Sequence, residues 1–169
     1  MLHLMKTESK KVLHLKTMMS SIFILLGILF LMALFVFKGN MNDLISKKMK
    51  EQAGETIKKS MAFYVDSAFN YRNNKEGYKL TFLEFGATGC ISCRKMEKVM
   101  EKVRSTYKAE VKVNFLNILR PASQDMMNYF GVASIPTMVL LDVSGKEIFR
   151  HTGYISFEDL VAEFQKINP

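Results

Sequence analysis

The sequence is poor in metal-binding side chains: its 169 residues include only two cysteines and three histidines. A structural zinc site takes four nitrogen or sulfur ligands. Cys90 and Cys93 supply half of such a set, and His3 and His14 lie before a long apolar segment. The sequence therefore predicts neither a metal site nor a bound cofactor within a single chain.

Acidic residues are scarce in one part of the chain, and the net charge of +8 is unevenly distributed as a result. Residues 1–77 hold 12 lysines and arginines against 6 acidic residues, whereas residues 78–169 hold 12 against 10. The excess flanks the apolar segment, where attraction to anionic lipid headgroups explains it. The second half shows no basic stripe with interleaved aromatic residues, so we expect no nucleic-acid partner.

The longest uncharged run covers residues 17–37, between Lys16 and Lys38. A helix of about 20 residues, rising 1.5 Å per residue, crosses a hydrocarbon layer of about 30 Å. A cleaved signal peptide is the alternative, but its apolar core is only about 7–15 residues long and ends in a small-residue cleavage site. Because the end of this run offers no such site, we predict an uncleaved, single-pass membrane anchor.

The orientation of this anchor rests on a near tie, because lysines lie close to both of its ends. A lone anchor behind a short basic N-terminus usually leaves that N-terminus in the cytoplasm. We therefore expect an inner (cytoplasmic) membrane protein whose remaining chain faces the periplasm or an equivalent compartment. A domain facing the cytoplasm is the alternative.

The chain divides into a basic head, an anchor, an amphipathic helical spacer and a compact domain, predicted over residues 1–16, 17–37, 38–56 and 57–169. Residues 39–43 are expected to break the anchor helix, with Asn42 or Asp43 capping the next one. Apolar residues then recur every four positions from Ile45 to Phe69, which predicts a helical stripe that Gly54 interrupts. A coiled-coil or partner-binding helix is the alternative to a spacer.

The compact domain alternates strands and helices and ends on a hairpin and a last helix. Strands are predicted over 79–85, 111–118, 138–141 and 146–151, and helices over 93–107, 121–130 and from 156 onward. This order predicts an α/β fold, a three-layer sandwich with a mixed central sheet and helices on both faces, behind an N-terminal transmembrane helix.

Cys90 and Cys93 lie where the first strand gives way to a helix. A purely structural disulfide is a poor explanation, because closing so short a loop removes little entropy from the unfolded chain. Two inert buried thiols would not need this position, and a redox dithiol is favoured. A helix N-terminus stabilises a thiolate, so Cys90 is the predicted exposed nucleophile and Cys93 the resolving thiol.

Two further residues are unusual for their positions. Glu84 is a carboxylic acid inside an apolar strand. If buried, it would have a raised pKa and could take a proton from Cys93; alternatively, it faces solvent. Pro136 opens a strand, where a cis peptide bond would form a turn, although a trans proline is commoner. The residues alone leave both choices open.

Taken together, these features resemble the thioredoxin superfamily over residues 57–168, and most of all the membrane-associated thioredoxin-like proteins of the bacterial envelope. The Cys-x-x-Cys pair resembles the catalytic motif, and the segment from Glu84 to Ala87 is similar to an Asp-Phe-x-Ala segment. Ile135 and Pro136 match a loop whose cis-proline lies across the active site. The resemblance implies catalytic roles for Cys90, Cys93 and Glu84, and a substrate strand pairing with the proline loop.

The sequence also departs from this family. There is no tryptophan, and Gly89 takes the place of the usual Trp before the first cysteine; we place Gly89 with Ile135 and Pro136 among the predicted substrate-binding residues. Ile91 and Ser92 replace both the Gly-Pro of cytoplasmic reductases and the Pro-His of envelope oxidases. No N-terminal strand is evident, and the preceding helix takes its place. These departures favour a dedicated partner.

The expected function is therefore a membrane-tethered thiol–disulfide oxidoreductase that reduces disulfides of exported proteins. The expected partners are protein thiols and disulfides, with a membrane thiol–disulfide transporter as electron donor. A thiol oxidase, a disulfide isomerase, and a non-catalytic adaptor that binds a membrane partner are the alternatives.

Overall fold

The computed structural model describes the backbone of residues 2–167 and the side chains of residues 19–37, 39 and 41–166. The side chains of the predicted basic head lie outside this described part. The chain forms two units, residues 1–43 and residues 44–169. The second unit carries the sheet and the two cysteines, and it is the one that positions the candidate site.

The first helix, α1 (Leu2–Gln52), contains the apolar stretch Met19–Phe37, which has a mean hydropathy of 2.8 and no buried residue. Its length and composition are consistent with a single-pass anchor or a signal sequence. The expected break at residues 39–43 is wrong, because the helix continues through Asn42 and Asp43. One glycine costs a helix only about 1 kcal/mol and no proline follows, so nothing ends the helix there.

The helical stripe is interrupted at Gly54, as predicted from the sequence. Gly54 has an extended backbone (φ −57°, ψ 146°) and separates α1 from α2 (Glu55–Phe69). Helix α2 buries Val65 and Phe69 against the sheet. A short helix, α3 (Tyr71–Asn74), follows.

Four strands form one mixed sheet; they are β1 (Leu80–Gly86), β2 (Val111–Asn117), β3 (Thr137–Leu141) and β4 (Glu147–Thr152). Their order in the sheet is β2-β1-β3-β4, with β1 parallel to β2 and antiparallel to β3, and β3 antiparallel to β4. The helices of this region are α4 (Ile91–Thr106), α5 (Pro121–Phe130) and α6 (Phe157–Ile167). The predicted α/β fold with a mixed sheet is confirmed.

Helices cover both faces of this sheet. Strand β1 contributes to both cores, because its successive side chains point in opposite directions. Phe82 joins a core with residues of α4 and α6, whereas Leu83 and Phe85 join a second core with residues of α2 and α5. The result is the expected three-layer sandwich. Within residues 2–79 the structure assigns no strand, and only an isolated bridge between Asn70 and Ser144 forms there.

Candidate redox site

Cys90 and Cys93 form a disulfide at the N-terminus of α4, with their Cα atoms 5.2 Å apart. Cys90 is the N-cap residue, and its Sγ accepts a hydrogen bond from the backbone N–H of Cys93 at 3.2 Å. The helix therefore begins at Ile91, two residues before its predicted start. Its first unpaired N–H groups lie where a Cys90 thiolate would be stabilised.

The two sulfur-bearing residues differ in exposure. Cys93 is 1% exposed, whereas Cys90 is partly exposed and the neighbouring Ile91 is 68% exposed. Cys90 is thus the cysteine that a second protein can reach. Gly89, just before it, has a left-handed backbone with φ of +89°, a conformation that disfavours any side chain at this position.

Glu84 is fully buried in the middle of β1, so it does not face solvent. Alternation along the strand places it on the same face as Phe82 and Gly86, the face that α4 covers. A Cβ atom added at Gly86 would lie 3.3 Å from the Sγ of Cys93, which puts the resolving sulfur against this part of β1. Glu84 therefore lies two residues before Gly86 on the same face of β1, and Gly86 is the residue whose backbone contacts Cys93.

The carboxyl group of Glu84 has no hydrogen-bond partner among the described residues, on either oxygen. Burial disfavours its charged form and raises its pKa from 4.5 to about 8. At neutral pH the group is therefore mostly protonated, with a minor ionised fraction. A buried acid of this kind can both give and take a proton near pH 7.

The proline loop lies at the same end of the sheet as the disulfide. The peptide bond between Ile135 and Pro136 is cis. Thr137 pairs with Phe85 across the sheet, so Pro136 lies next in register to Gly86. The carbonyl of Pro136 accepts a hydrogen bond from the N–H of Gly153 at 2.8 Å, which fixes the loop to the end of β4.

Sequence reasoning missed Phe115, which lies beside the disulfide. A Cβ atom at Gly86 would lie 2.7 Å from the Cε2 of Phe115, so only glycine leaves room for this ring next to Cys93. Phe115 is 37% exposed, and Leu119 beyond the end of β2 is 63% exposed. The available signal was the alternation of Val111, Val113 and Phe115 along β2. Val111 and Val113 pack with residues of α4, so Phe115, on the same face, is expected to lie near the start of that helix.

Sequence reasoning also missed a basic face on α4. Four cations line one face of α4 and border an open groove of about 500 Å³ together with Tyr154 and Phe157; they are Arg94, Lys95, Lys98 and Lys102. Their spacing along the chain is helical, so α4 brings them together on one face. Among the residues described, no group of three His, Cys, Asp or Glu side chains is placed to hold a metal ion.

A family model described as a thioredoxin-like domain matches residues 65–168. The thioredoxin of Borreliella burgdorferi is 28% identical over 108 residues, which cover 60% of this chain and 90% of that protein. The chloroplastic thioredoxin-like protein HCF164 of Arabidopsis thaliana is 32% identical over 81 residues, which cover 48% of this chain but only 31% of that protein.

Among solved structures, thioredoxin O2 of Arabidopsis thaliana in its oxidized state superposes with a TM-score of 0.50. The two sequences are 13% identical, and the match covers 66% of this chain and 90% of thioredoxin O2. This likeness therefore concerns the fold alone. The family model extends over more than half of the chain and includes the strand, the Cys-x-x-Cys pair and the proline loop described above. The chain therefore belongs to the thioredoxin-like domain family, whose dithiols exchange with the disulfides of protein substrates.

Proposed function

We propose that this protein is a membrane-tethered thiol–disulfide oxidoreductase that reduces disulfides of exported proteins. The observation that carries the proposal is the pairing of a reachable Cys90 with a buried Cys93 at the start of α4. An inert disulfide would need neither this difference in exposure nor a helix N-terminus beside the outer sulfur. The anchor is supported by the apolar stretch Met19–Phe37.

In the first step, the thiolate of Cys90 attacks one sulfur of the partner's disulfide. A mixed disulfide forms and the partner's other sulfur leaves as a thiolate. The N–H groups at the start of α4 stabilise the attacking thiolate, because the positive end of the helix dipole lies there. The apolar side chains of Ile91, Phe115 and Leu119 offer contact area to the partner around this sulfur.

In the second step, Cys93 attacks the Sγ of Cys90 and releases the partner's remaining thiol. Two electrons pass to the partner, and the Cys90–Cys93 disulfide is left behind. The ionised fraction of Glu84 takes the proton from Cys93 as it attacks, and the protonated acid returns it when the disulfide is reduced again. Glu84 thus serves the buried sulfur, which water does not reach.

The partner's backbone binds along the proline loop, beside the disulfide. The partly exposed Ile135, with the buried Pro136 beside it, and the exposed Gly89 just before Cys90 are the residues that we assign to this surface. With no side chain at Gly89, a partner strand can approach Cys90 more closely than a tryptophan would permit.

The remaining parts of the chain hold the redox domain at the membrane. Residues 1–16 form the head, 17–37 the anchor, 38–56 the spacer and 57–169 the redox domain. With the head in the cytoplasm, the dithiol faces the periplasm or an equivalent compartment. A membrane thiol–disulfide transporter then supplies the two electrons that regenerate it.

Separate cysteine variants of the full-length protein test this proposal. Cys93→Ala is expected to accumulate a mixed disulfide with its partners, because the resolving thiol is gone, whereas Cys90→Ser is expected to trap none. Non-reducing gels of membranes, followed by mass spectrometry of the trapped species, provide the readout. If neither variant traps a partner and both restore the function of a deletion strain, the redox proposal fails and a non-catalytic adaptor is favoured.

The reduction potential of the pair separates the reductase from the oxidase and isomerase. A reductase is expected to lie near −270 mV, as thioredoxin does, whereas about −180 mV suits an isomerase and about −120 mV a strong oxidant. Equilibration of the full chain in a series of glutathione or dithiothreitol buffers measures this value.

A further inference from the structure

The groove beside α4 is a charged surface that the redox chemistry does not explain. It begins at Ile91, directly after Cys90, and follows α4 as far as Lys102. Over these residues a helix rises about 16 Å. Phe157, the first residue of α6, and Tyr154, in the loop before it, form the opposite wall.

The charge of this groove is strongly one-sided. Four of its lining residues are cations, and Glu158 is the only acid among them. Lys102 lies 4.0 Å from a carboxylate oxygen of Glu158 and 5.5 Å from the ring centre of Phe157. In the described part of the chain, no carboxylate lies within 4.0 Å of Arg94, Lys95 or Lys98. None of these three cations forms an ion pair in the described part of the chain, although Glu97 and Glu101 lie on the same helix.

We infer that this groove binds an acidic segment of the partner protein, next in sequence to the partner's reacting cysteine. The inference rests on the proposed thiol exchange, because Cys90 fixes where the partner's sulfur must lie. An extended chain advances about 3.3 Å per residue, so a groove of about 16 Å holds roughly five residues. The partner segment therefore carries its Asp or Glu residues within about five positions of the cysteine, with an apolar or aromatic side chain against Tyr154 and Phe157.

A protein segment fits this surface better than a nucleic acid or a lipid layer. The groove starts at Ile91, the residue after the reactive Cys90, and it is bounded on its far side by Tyr154 and Phe157. Opposite charges across such a contact mainly increase the association rate and select the partner. The groove thus supplies specificity where the Trp of related proteins is missing.

Disulfide-linked peptide dimers test this inference with the reduced full-length protein in detergent. Three decapeptides with one cysteine each are compared, in which the five residues after the cysteine are acidic, uncharged or basic. The acidic dimer is expected to be reduced about tenfold faster than the uncharged dimer at low ionic strength, and the basic dimer more slowly still. In 0.5 M salt the three rates are expected to converge.

Matched variants assign the effect to the groove. In the triple variant Arg94→Gln, Lys95→Gln and Lys98→Gln, the ratio of acidic to uncharged rates is expected to fall to about one. The ratio, unlike either rate, is insensitive to changes in the reactivity of Cys90. A control variant with the same charge change, Lys75→Gln, Arg104→Gln and Lys108→Gln, alters exposed cations outside the groove and is expected to keep the wild-type ratio.

Two kinetic results would overturn the inference. One is a wild-type ratio near one at low salt while both dimers are reduced, which leaves the proposed redox function intact. The other is equal loss of the ratio in the control variant. Reduction of bis(2-hydroxyethyl) disulfide, a small uncharged substrate, is measured in parallel, and its absence would instead refute the proposed function. Binding of a fluorescent DNA octamer or of phosphatidylglycerol vesicles through the same three cations, without a peptide preference, also counts against a protein segment.

Discussion

At the scale of single residues, burial of Glu84 has two effects: it makes the ionised carboxylate destabilising, and it brings the titration of this group close to neutral pH. A carboxylic acid without a hydrogen-bond partner in a protein core is costly in its ionised form, and the cost appears as a raised pKa. The same raised pKa brings its titration close to neutrality, where a thiol proton must be exchanged. Both consequences can be measured separately.

The first prediction concerns catalysis by Glu84. Glu84→Gln is expected to slow the attack of Cys93 on the mixed disulfide by about tenfold or more, because general acid–base catalysis is lost. The wild-type rate is expected to rise with pH up to about 8, as Glu84 ionises, and the variant is expected to lack this component. Single-turnover kinetics with a preformed mixed disulfide between pH 5.5 and 9 measure both. Glu97→Gln, on the exposed side of α4, is the control, and equal rates and profiles for the two variants would refute the role.

The second prediction concerns stability. The folded pKa of Glu84 lies above the unfolded one, so the folded state binds the extra proton between pH 4.5 and about 8. The contribution of Glu84 to the free energy of unfolding is therefore full below pH 4.5, falls as pH rises through this window, and levels off above about pH 8. Each pKa unit corresponds to about 1.4 kcal/mol, so the fall amounts to several kcal/mol.

The other described groups with shifted pKa values titrate outside this pH window. The pKa values of Asp142 and Glu147 are lowered, by hydrogen bonds that outweigh burial, and that of Tyr71 is raised by burial to about 12. Denaturant titrations of the oxidised protein at pH 5, 6.5 and 8, followed by circular dichroism, are expected to show the fall in wild type and in Glu97→Gln but not in Glu84→Gln. A pH-independent wild type would show that Glu84 is solvated.

At the scale of elements, local signals predicted some boundaries and missed others. Helix α5 runs from Pro121 to Phe130 and ends at Gly131 (φ +62°), as its terminal proline and glycine indicated. The continuation of α1 past Gly39 was missed, since a glycine only weakens a helix. Whether Glu84 was buried could not be read from the sequence, because it depends on which face of β1 lies under α4.

The third prediction concerns how α3 is held to the sheet. The hydroxyl groups of Tyr71 and Thr81 lie 2.5 Å apart in a buried hydrogen bond. Tyr71→Phe and Thr81→Val are each expected to cost about 1–3 kcal/mol of unfolding free energy, since each strands a buried hydroxyl group. The double variant, with no stranded group, is expected to cost clearly less than the sum of the two. Denaturant titrations give the three values, and strict additivity would show that the bond contributes no coupling.

At the scale of the whole molecule, the site is assembled from segments far apart in the sequence. Gly86 is close to Cys93, Phe115 comes from the next strand along the chain, and Pro136 lies beside the end of β1 through its pairing with β3. The motifs and their order were visible in the sequence. The packing of Phe115 was not, because it depends on how β1 and β2 pair beside Cys93. The groove along α4 was not visible either, because Tyr154 and Phe157 reach it only in the folded chain.

The fourth prediction concerns the compartment in which this assembly works. If the anchor is retained, the protein stays in the membrane pellet after carbonate extraction at pH 11, because a helix through the bilayer is not released by alkali or salt. If the head is cytoplasmic, a cysteine placed at Lys75 in a Cys90→Ala, Cys93→Ala background reacts with a membrane-impermeant maleimide in intact cells. A cysteine at Ser9 then reacts only after lysis.

The labelling pattern also decides which electron supply is feasible. A dithiol outside the cytoplasm is out of reach of the soluble cytoplasmic reductases, so it requires electrons that cross the membrane through another protein. Labelling of Ser9→Cys alone in intact cells would place the redox domain in the cytoplasm and would refute both the periplasmic location and the transporter as donor. Labelling at Lys75→Cys would instead make regeneration depend on a membrane partner, which deletion of thiol–disulfide transporters would reveal as accumulation of the oxidised Cys90–Cys93 form.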